Sequence, residues 1–263
     1  MMNYTLNIKG RLLSLERPLV MGILNATPDS FYAGSRMPTE AAVARRAAEI
    51  VGQGGAIVDV GACSTRPGSA PASEQEEMER LRMALAAVRR ESPEAVVSVD
   101  TFRPAVARMA VEEYGADIIN DVGGAQPDML RMVSRLQVPY VLMAAEPTLE
   151  QTALFLADRV QRLRDLGHKD IIVDPGFGFG KTLEQNYELL SQMEQLLALE
   201  LPLLVGLSRK SMIYNTLGCS PDQALNGTTA LNAVALMKGA SILRVHDVGE
   251  AVECVRLFSM LNA

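Results

Sequence analysis

Most of the short apolar runs in this chain finish in polar side chains able to hold a charged or hydrogen-bonding ligand. Asn25 closes LVMGILN (19–25), Asp59 lies near the end of AIVDVG (56–61), and Asp100 closes AVVSVD (95–100). Asn120 and Asp121 close ADIIND (116–121), and Asp174 closes DIIVD (170–174). Ser208, Arg209 and Lys210 stand where LPLLVGLS (201–208) gives out, and Arg244, His246 and Asp247 fall in SILRVHD (241–247). A charged residue that continues a buried run is costly unless it is paired. One such end is explained as a helix cap, since strand-to-helix loops often place Asp or Ser there. Seven of them point instead to a shared polar site.

Other residues narrow the chemistry. The chain has two histidines, too few for a three-histidine zinc site or an H-E-x-x-H protease. His246 ends the last run and is the histidine available to the site. His168 precedes DIIVD, on the opposite side, and reads as a solvated loop residue. Cys63, Cys219 and Cys254 are an odd number without close pairing, so neither a disulfide framework nor a Cys-x-x-Cys metal site is expected. PGFGFGKT (175–182) has Pro175 where a Walker A loop requires Gly, which rejects an ATPase reading. STRPG (64–68) places Arg66 beside hydroxyls, a combination suited to clamping an anion.

The elements that must position these residues alternate. With PYVLM (139–143) the apolar runs number eight, each nearly continuous, as strands buried on both faces read. Helical stretches lie between them: 39–53 with Thr39 as N-cap, 73–90 with a Ser73/Glu76 capping box, 148–166 and 182–199 each starting at a Thr, and 226–237 ended by Gly239. Eight strand–helix units in 263 residues are the arithmetic of an α/β (β/α)8 TIM barrel, one domain over 1–263. An open doubly wound sheet is the alternative. Residues 4–15 predict a short N-terminal hairpin turning at Lys9-Gly10 and plugging the barrel's N-terminal face. Formal charge is −6, from 25 basic and 31 acidic residues, which disfavours nucleic acid as a partner. No apolar run has the roughly 20 residues that span a bilayer, and no signal-peptide pattern opens the chain. A reducing, cytoplasmic setting is expected.

Taken together, MGILNATPDSF (21–31), STRPG (64–68), VSVDT (97–101), IINDV (118–122), DPGFGFGK (174–181), GLSRKS (206–211) and RVHDV (244–248) resemble the dihydropteroate synthase family, in its order and over nearly the whole chain. The resemblance implies a (β/α)8 barrel. It also implies condensation of 6-hydroxymethyl-7,8-dihydropterin pyrophosphate with p-aminobenzoate, giving 7,8-dihydropteroate and pyrophosphate for folate biosynthesis. It assigns the pterin to Asp174, Asp100, Asn120, Met143 and Lys210. The pyrophosphate falls to Arg244 and His246, and Asn25 becomes the residue associated with Mg2+. Lys210, Arg244 and His246 would carry the catalysis. Lys210, Ser211 and Phe179 would line the p-aminobenzoate pocket, though Phe179 equally suits packing. Two loops would order over the site, TPDSF (27–31) and the one with Thr65, Arg66 and Pro67. Sulfonamide sensitivity is a family expectation. So is a homodimer through outer helices, for which Met237, Leu257 and Met260 are candidates.

The sequence departs from the family in three places. Gly61-Ala62-Cys63 replaces Gly-Gly-Glu, Tyr32-Ala33-Gly34 stands where Asp-Gly-Gly is common, and Met143-Ala144-Ala145 lacks a histidine after the Met. Two other readings stay open: a pterin-binding methyltransferase, which needs no pyrophosphate clamp, and a catalytically silent pterin-binding homologue.

Overall fold

The computed structural model describes residues 4–27, 39–62 and 72–261. Its first strands, β1 (Thr5–Ile8) and β2 (Arg11–Ser14), pair antiparallel. The turn uses Lys9 and Gly10 at φ 50° and 85°, the doubly positive pair that two-residue hairpins favour. Eight parallel strands follow: β3 (Leu19–Asn25), β4 (Ile57–Gly61), β5 (Val96–Asp100), β6 (Ile118–Asp121), β7 (Tyr140–Met143), β8 (Ile171–Asp174), β9 (Leu204–Val205) and β10 (Ile242–Val245). They pair in the order β8-β7-β6-β5-β4-β3-β10-β9, and a parallel bridge from Val173 to Leu203 joins the two ends. The ring is therefore a barrel, as its sequence arithmetic predicts.

Helices run between the strands: α1 (Glu40–Gly52), α2 (Glu74–Glu91), α3 (Pro104–Tyr114), α4 (Pro127–Leu136), α5 (Leu149–Asp165), α6 (Leu183–Gln192), α7 (Ser211–Leu217), α8 (Leu225–Met237) and α9 (Val248–Leu261). Thr39, Thr148 and Thr182 cap as expected, and the Ser73/Glu76 box is closed in both directions. The stretch 182–199 is not one α-helix. It tightens after Gln192 into a 3-10 segment, Met193–Leu199, which keeps Met193 and Leu196 buried on one eclipsed i, i+3 edge. The run 201–208 is also shorter as a strand than it reads, because its ladder to β10 covers only Leu204 and Val205.

Strand parity explains the two cores. Met21, Ile57, Val96, Ile118, Val141, Ile172, Leu204 and Ile242, one from each barrel strand, form an inner cluster with Leu6, Ile8 and Leu15 of the hairpin segment. That cluster closes the barrel's N-terminal end, as expected of the hairpin. The alternate residues, such as Val58, Val97, Ile119 and Val173, pack outward against the helices. Every second residue above the inner cluster therefore points into the C-terminal mouth.

A charged cluster fastens the closed end. Asp117 is buried and accepts from Arg89 Nη2 (2.8 Å) and the Val97 N–H (2.9 Å), with Lys9 Nζ at 2.6 Å. Asp117→Ala is expected to cost roughly 2–3 kcal/mol, because two cations lose a desolvated partner. A denaturant midpoint lower by that amount, with kcat unchanged, is the expected result; a lower kcat at equal stability would contradict it. His168 corrects the sequence reading. It is buried, not solvated, and stands edge-on to Tyr140 with ring centroids 6.3 Å apart. Burial lowers its pKa and keeps the ring neutral.

Candidate active site

The inward-facing polar residues meet at the open end of the barrel. Arg244, two residues beyond Ile242 on β10, donates from Nε to Asp59 (2.7 Å) and from Nη2 to Asp100 (2.7 Å). Asn120 Nδ2 donates to the same Asp59 oxygen (3.2 Å). Asp59 is fully buried; its Oδ1, and the Oδ1 of Asn120, have no hydrogen-bond partner among the described residues. One guanidinium thus spans two carboxylates across the barrel floor. Burial pushes the Asp100 carboxyl upward, Arg244 opposes that, and Asp59 adds to it. The guanidinium is held charged by the same two carboxylates, against the cost of its burial.

Asp174 takes up the far side of the floor. Its Oδ1 accepts the Gly176 N–H at 2.7 Å. Burial raises its pKa, with Lys210 opposing. Met143 lies in register with Asp174 and is buried beside it. The glycine-rich loop after β8 needs Gly176 at φ 67°, where an added Cβ would fall 1.9 Å from the Ala144 carbonyl oxygen. The loop buries Phe177 in the core and turns Phe179 toward Lys210, whose Nζ lies 4.9 Å from the ring centroid. Phe177 packs in the core, whereas Phe179 is partly exposed beside the Lys210 ammonium. Lys210 Nζ also donates to the Phe177 carbonyl. Burial lowers Lys210 to about 8, with Asp174 holding it up. Lys181 caps the loop carbonyls of Gly176 (3.0 Å) and Phe179 (3.3 Å).

His246 is fixed from both ends. Its N–H donates to Ser208 Oγ (3.1 Å), and its Nδ1 lies 3.0 Å from the same oxygen. Where the Ser208 hydroxyl donates to Nδ1, the neutral ring carries its proton on Nε2. Burial, then Arg244, lowers the imidazole to about 4, so it is neutral at pH 7. The His246 carbonyl accepts from Arg46 Nη2 (2.5 Å). Asn25 Oδ1 and Asp100 Oδ2 lie 3.6 and 3.8 Å from the point a Gly61 Cβ would occupy, which brings the amide at the end of β3 to the edge of the carboxylate pair.

The sequence reading therefore places Asn25, Asp100, Asn120, Met143, Asp174, Lys210, Arg244 and His246 at one mouth. Ser211 opens α7 there and is exposed. Thr65, Arg66 and Pro67, together with Cys63 and Ala33, lie outside the described residues. Two strand-end carboxylates do not join the site. Asp121 faces outward, accepting from Tyr140 Oη (2.6 Å), Gly123 N–H (2.6 Å) and Ala125 N–H (3.2 Å). Asp247 is engaged by Arg209. Asp59, one of the polar strand ends in the sequence but given no ligand by the family resemblance, belongs to the floor.

A pterin-binding fold is what this constellation resembles in other proteins. The family described as pterin binding enzyme matches residues 21–246, from the first barrel strand to the last. The curated dihydropteroate synthase of Escherichia coli K12 is 38% identical over 265 aligned residues, covering 95% of this chain and 93% of its own. Among solved structures, Xanthomonas albilineans dihydropteroate synthase with 4-aminobenzoic acid superposes at a TM-score of 0.93 with 36% identity, covering 100% of this chain and 99% of that one. The same enzyme in complex with 7,8-dihydropteroate gives 0.89 at 36% identity, covering 99% of each chain. The chain belongs to the dihydropteroate synthase family of transferases.

Proposed function

We propose that the mouth binds 6-hydroxymethyl-7,8-dihydropterin pyrophosphate and p-aminobenzoate, and joins them. The observation that carries this reading is the paired floor, in which Arg244 bridges Asp59 and Asp100, Asn120 joins Asp59, and the charge of Asp174 acts on the same guanidinium. A pterin edge presents an amino group, N3–H and a carbonyl. A buried carboxylate accepts two parallel hydrogen bonds from such an edge. Asp174 takes that role, its Oδ1 oriented by Gly176. Lys210 sits on the ring's carbonyl and N5 side, and Met143 packs on its face.

In the reaction the carbon–oxygen bond of the pterin methylene breaks and its electron pair leaves with pyrophosphate. The aniline nitrogen of p-aminobenzoate then forms the carbon–nitrogen bond and loses a proton. That amine is already neutral at pH 7, so the residues orient groups and stabilise charge rather than abstract a proton first. Arg244 and the Nε2–H of His246 face the leaving anion. Phe179, Lys210 and Ser211 bound the p-aminobenzoate side, and the resemblance adds Thr65, Arg66 and Pro67, which lie outside the described residues.

Mg2+ is part of this proposal. Asn25 offers one hard amide oxygen, and no cluster of three or more His, Cys, Asp or Glu among the described residues suits a metal. The chain thus fits the ion only as an auxiliary ligand, with substrate phosphates and water holding the rest. The ion would offset the charge of the departing pyrophosphate. The test of the function follows pyrophosphate and pteroate together from purified protein, with and without p-aminobenzoate. Equal amounts of both products are expected only when p-aminobenzoate is present. Pterin binding without either product would sink the reading. Sulfonamides, as mimics of p-aminobenzoate, are expected competitors.

The chain, one domain over 1–263, is proposed to act in the cytoplasm as a homodimer. Its α7, α8 and α9 present Leu217, Met237, Leu257, Met260 and Leu261, each more than half exposed. An apolar groove of about 450 Å³ runs between α8 and α9. An exposed apolar patch of this kind marks an association surface. Leu257→Glu with Met260→Glu is expected to shift the light-scattering mass from dimer to monomer; an unshifted dimer would move the interface elsewhere. No helix among the described residues is long and apolar enough to cross a membrane.

A further inference from the structure

The backbone ladder between β9 and β10 stops short of the residues that matter. It pairs Leu204 with Ile242 and Val205 with Leu243, and ends. Extended without a slip, that register sets 208 opposite 246 and 209 opposite 247. Side chains make both of those pairs. Ser208 Oγ holds the N–H and Nδ1 of His246. Arg209 Nε and Nη2 fork onto the two carboxylate oxygens of Asp247, at 2.9 and 2.7 Å.

Arg209 also has the backbone conformation that such a junction requires. Its φ is 55°, uncommon outside glycine. Its N–H donates to Thr228 Oγ1 on α8 (3.1 Å). In consequence three consecutive side chains reach three targets. Ser208 reaches His246, Arg209 reaches Asp247, and Lys210 reaches the Phe177 carbonyl and the Phe179 ring. Asp222 also approaches Arg209, at 3.5 Å, but it is 97% exposed and contributes little.

We infer that Arg209 and Asp247 are positioning residues for this site. Their ion pair carries the β9–β10 register past the end of the backbone ladder, and so fixes Lys210 on one strand end relative to Arg244 and His246 on the other. The inference rests on the proposed function of that site. Neither residue touches the floor; both act through their sequence neighbours. A guanidinium fork on a carboxylate has a defined geometry, which a single-point cation lacks.

The test uses the full chain in the coupled pteroate and pyrophosphate assay, beginning with the wild-type protein. Asp247→Asn keeps the shape and removes the charge. Arg209→Gly accepts the backbone conformation and removes the side chain. Each is expected to lower kcat about ten-fold with KM for both substrates within about two-fold, the pattern of an interaction realised in the transition state. The double variant is expected to lose no more than the worse single variant, since the pair acts as a unit. Arg209→Lys, with charge but no fork, should retain an intermediate kcat. Losses that multiply in the double variant, or that appear in KM or melting temperature alone, would overturn the inference. If Arg209→Gly does not fold, Asp247→Asn and Arg209→Lys decide by the same kcat criterion. An inactive wild-type protein would overturn the reading of the site and this inference with it. An active wild type with unchanged clamp variants would overturn the inference alone.

Discussion

Asp174→Asn is expected to weaken dihydropterin binding at least about 30-fold, which corresponds to roughly 2 kcal/mol for hydrogen bonds to a charged acceptor. The geometry says which way the new amide must face. Gly176 N–H already occupies Oδ1 at 2.7 Å, so the oxygen of the introduced amide stays there. Its NH2 then replaces Oδ2 and confronts the donor edge of the pterin, leaving donor against donor. Folding should respond in the opposite direction. Burial raises the Asp174 carboxyl, with Lys210 opposing. The folded state therefore binds a proton more readily than the unfolded chain, and its stability falls as pH rises from the unfolded pKa through the folded one. A neutral amide escapes that loss. At pH 7 the variant should melt at or slightly above the wild-type temperature while failing to bind, as functional groups held against stability do. Calorimetric titration with a dihydropterin, without p-aminobenzoate, measures the affinity. Unchanged affinity would remove Asp174 from the pocket.

Asp174 was legible because it ends its strand, and most of the barrel was legible for a related reason. Strands buried on both faces read as unbroken apolar runs, and eight of them bounded by capped helices leave few architectures. The same continuity hides parity. IIND gives no sign whether Asn120 or Asp121 points inward, since Ile118 and Ile119 are both apolar. The choice follows only once Ile118 is known to lie in the inner cluster with Met21 and Ile57. Asp59 is legible as a polar strand end but its place on the floor is not, because it stands two residues before the end of β4 and not at it. Counting by twos from Ile57 gives its inward direction. His168 carried no usable signal. A polar residue between a helix and a strand is ordinarily solvated, yet the folded chain buries it, edge-on to Tyr140. The split of 182–199 was hidden as well, because no Gly or Pro interrupts it and its apolar spacing continues through Leu196.

Arg244→Met is the variant that strikes both stability and chemistry. The guanidinium contacts Asp59, which is fully buried, and Asp100, whose side chain is 13% exposed. A methionine fills similar volume but leaves two facing carboxylates without their cation. Removing one partner of a buried pair costs about 3–5 kcal/mol, so a loss near the lower figure is expected at pH 8. The pH dependence identifies the cause. In the wild-type protein burial raises Asp100 and Arg244 holds it down. In the variant that restraint is gone and the folded-state pKa rises further above the unfolded value of about 3.9. The variant's folded state then binds more protons than its unfolded state throughout that window, so its stability falls as pH rises. The gap to wild type should be small near pH 5 and widen toward pH 8. Adding Asp59→Asn should narrow it by removing one of the stranded charges. Activity should not return, because the donor facing the leaving pyrophosphate is still missing, and loss of such a donor costs about a hundred-fold or more in kcat. Denaturation at pH 5 and pH 8 decides the electrostatic argument. An equal gap at both would mean that packing, not the carboxylate pair, sets the need for Arg244.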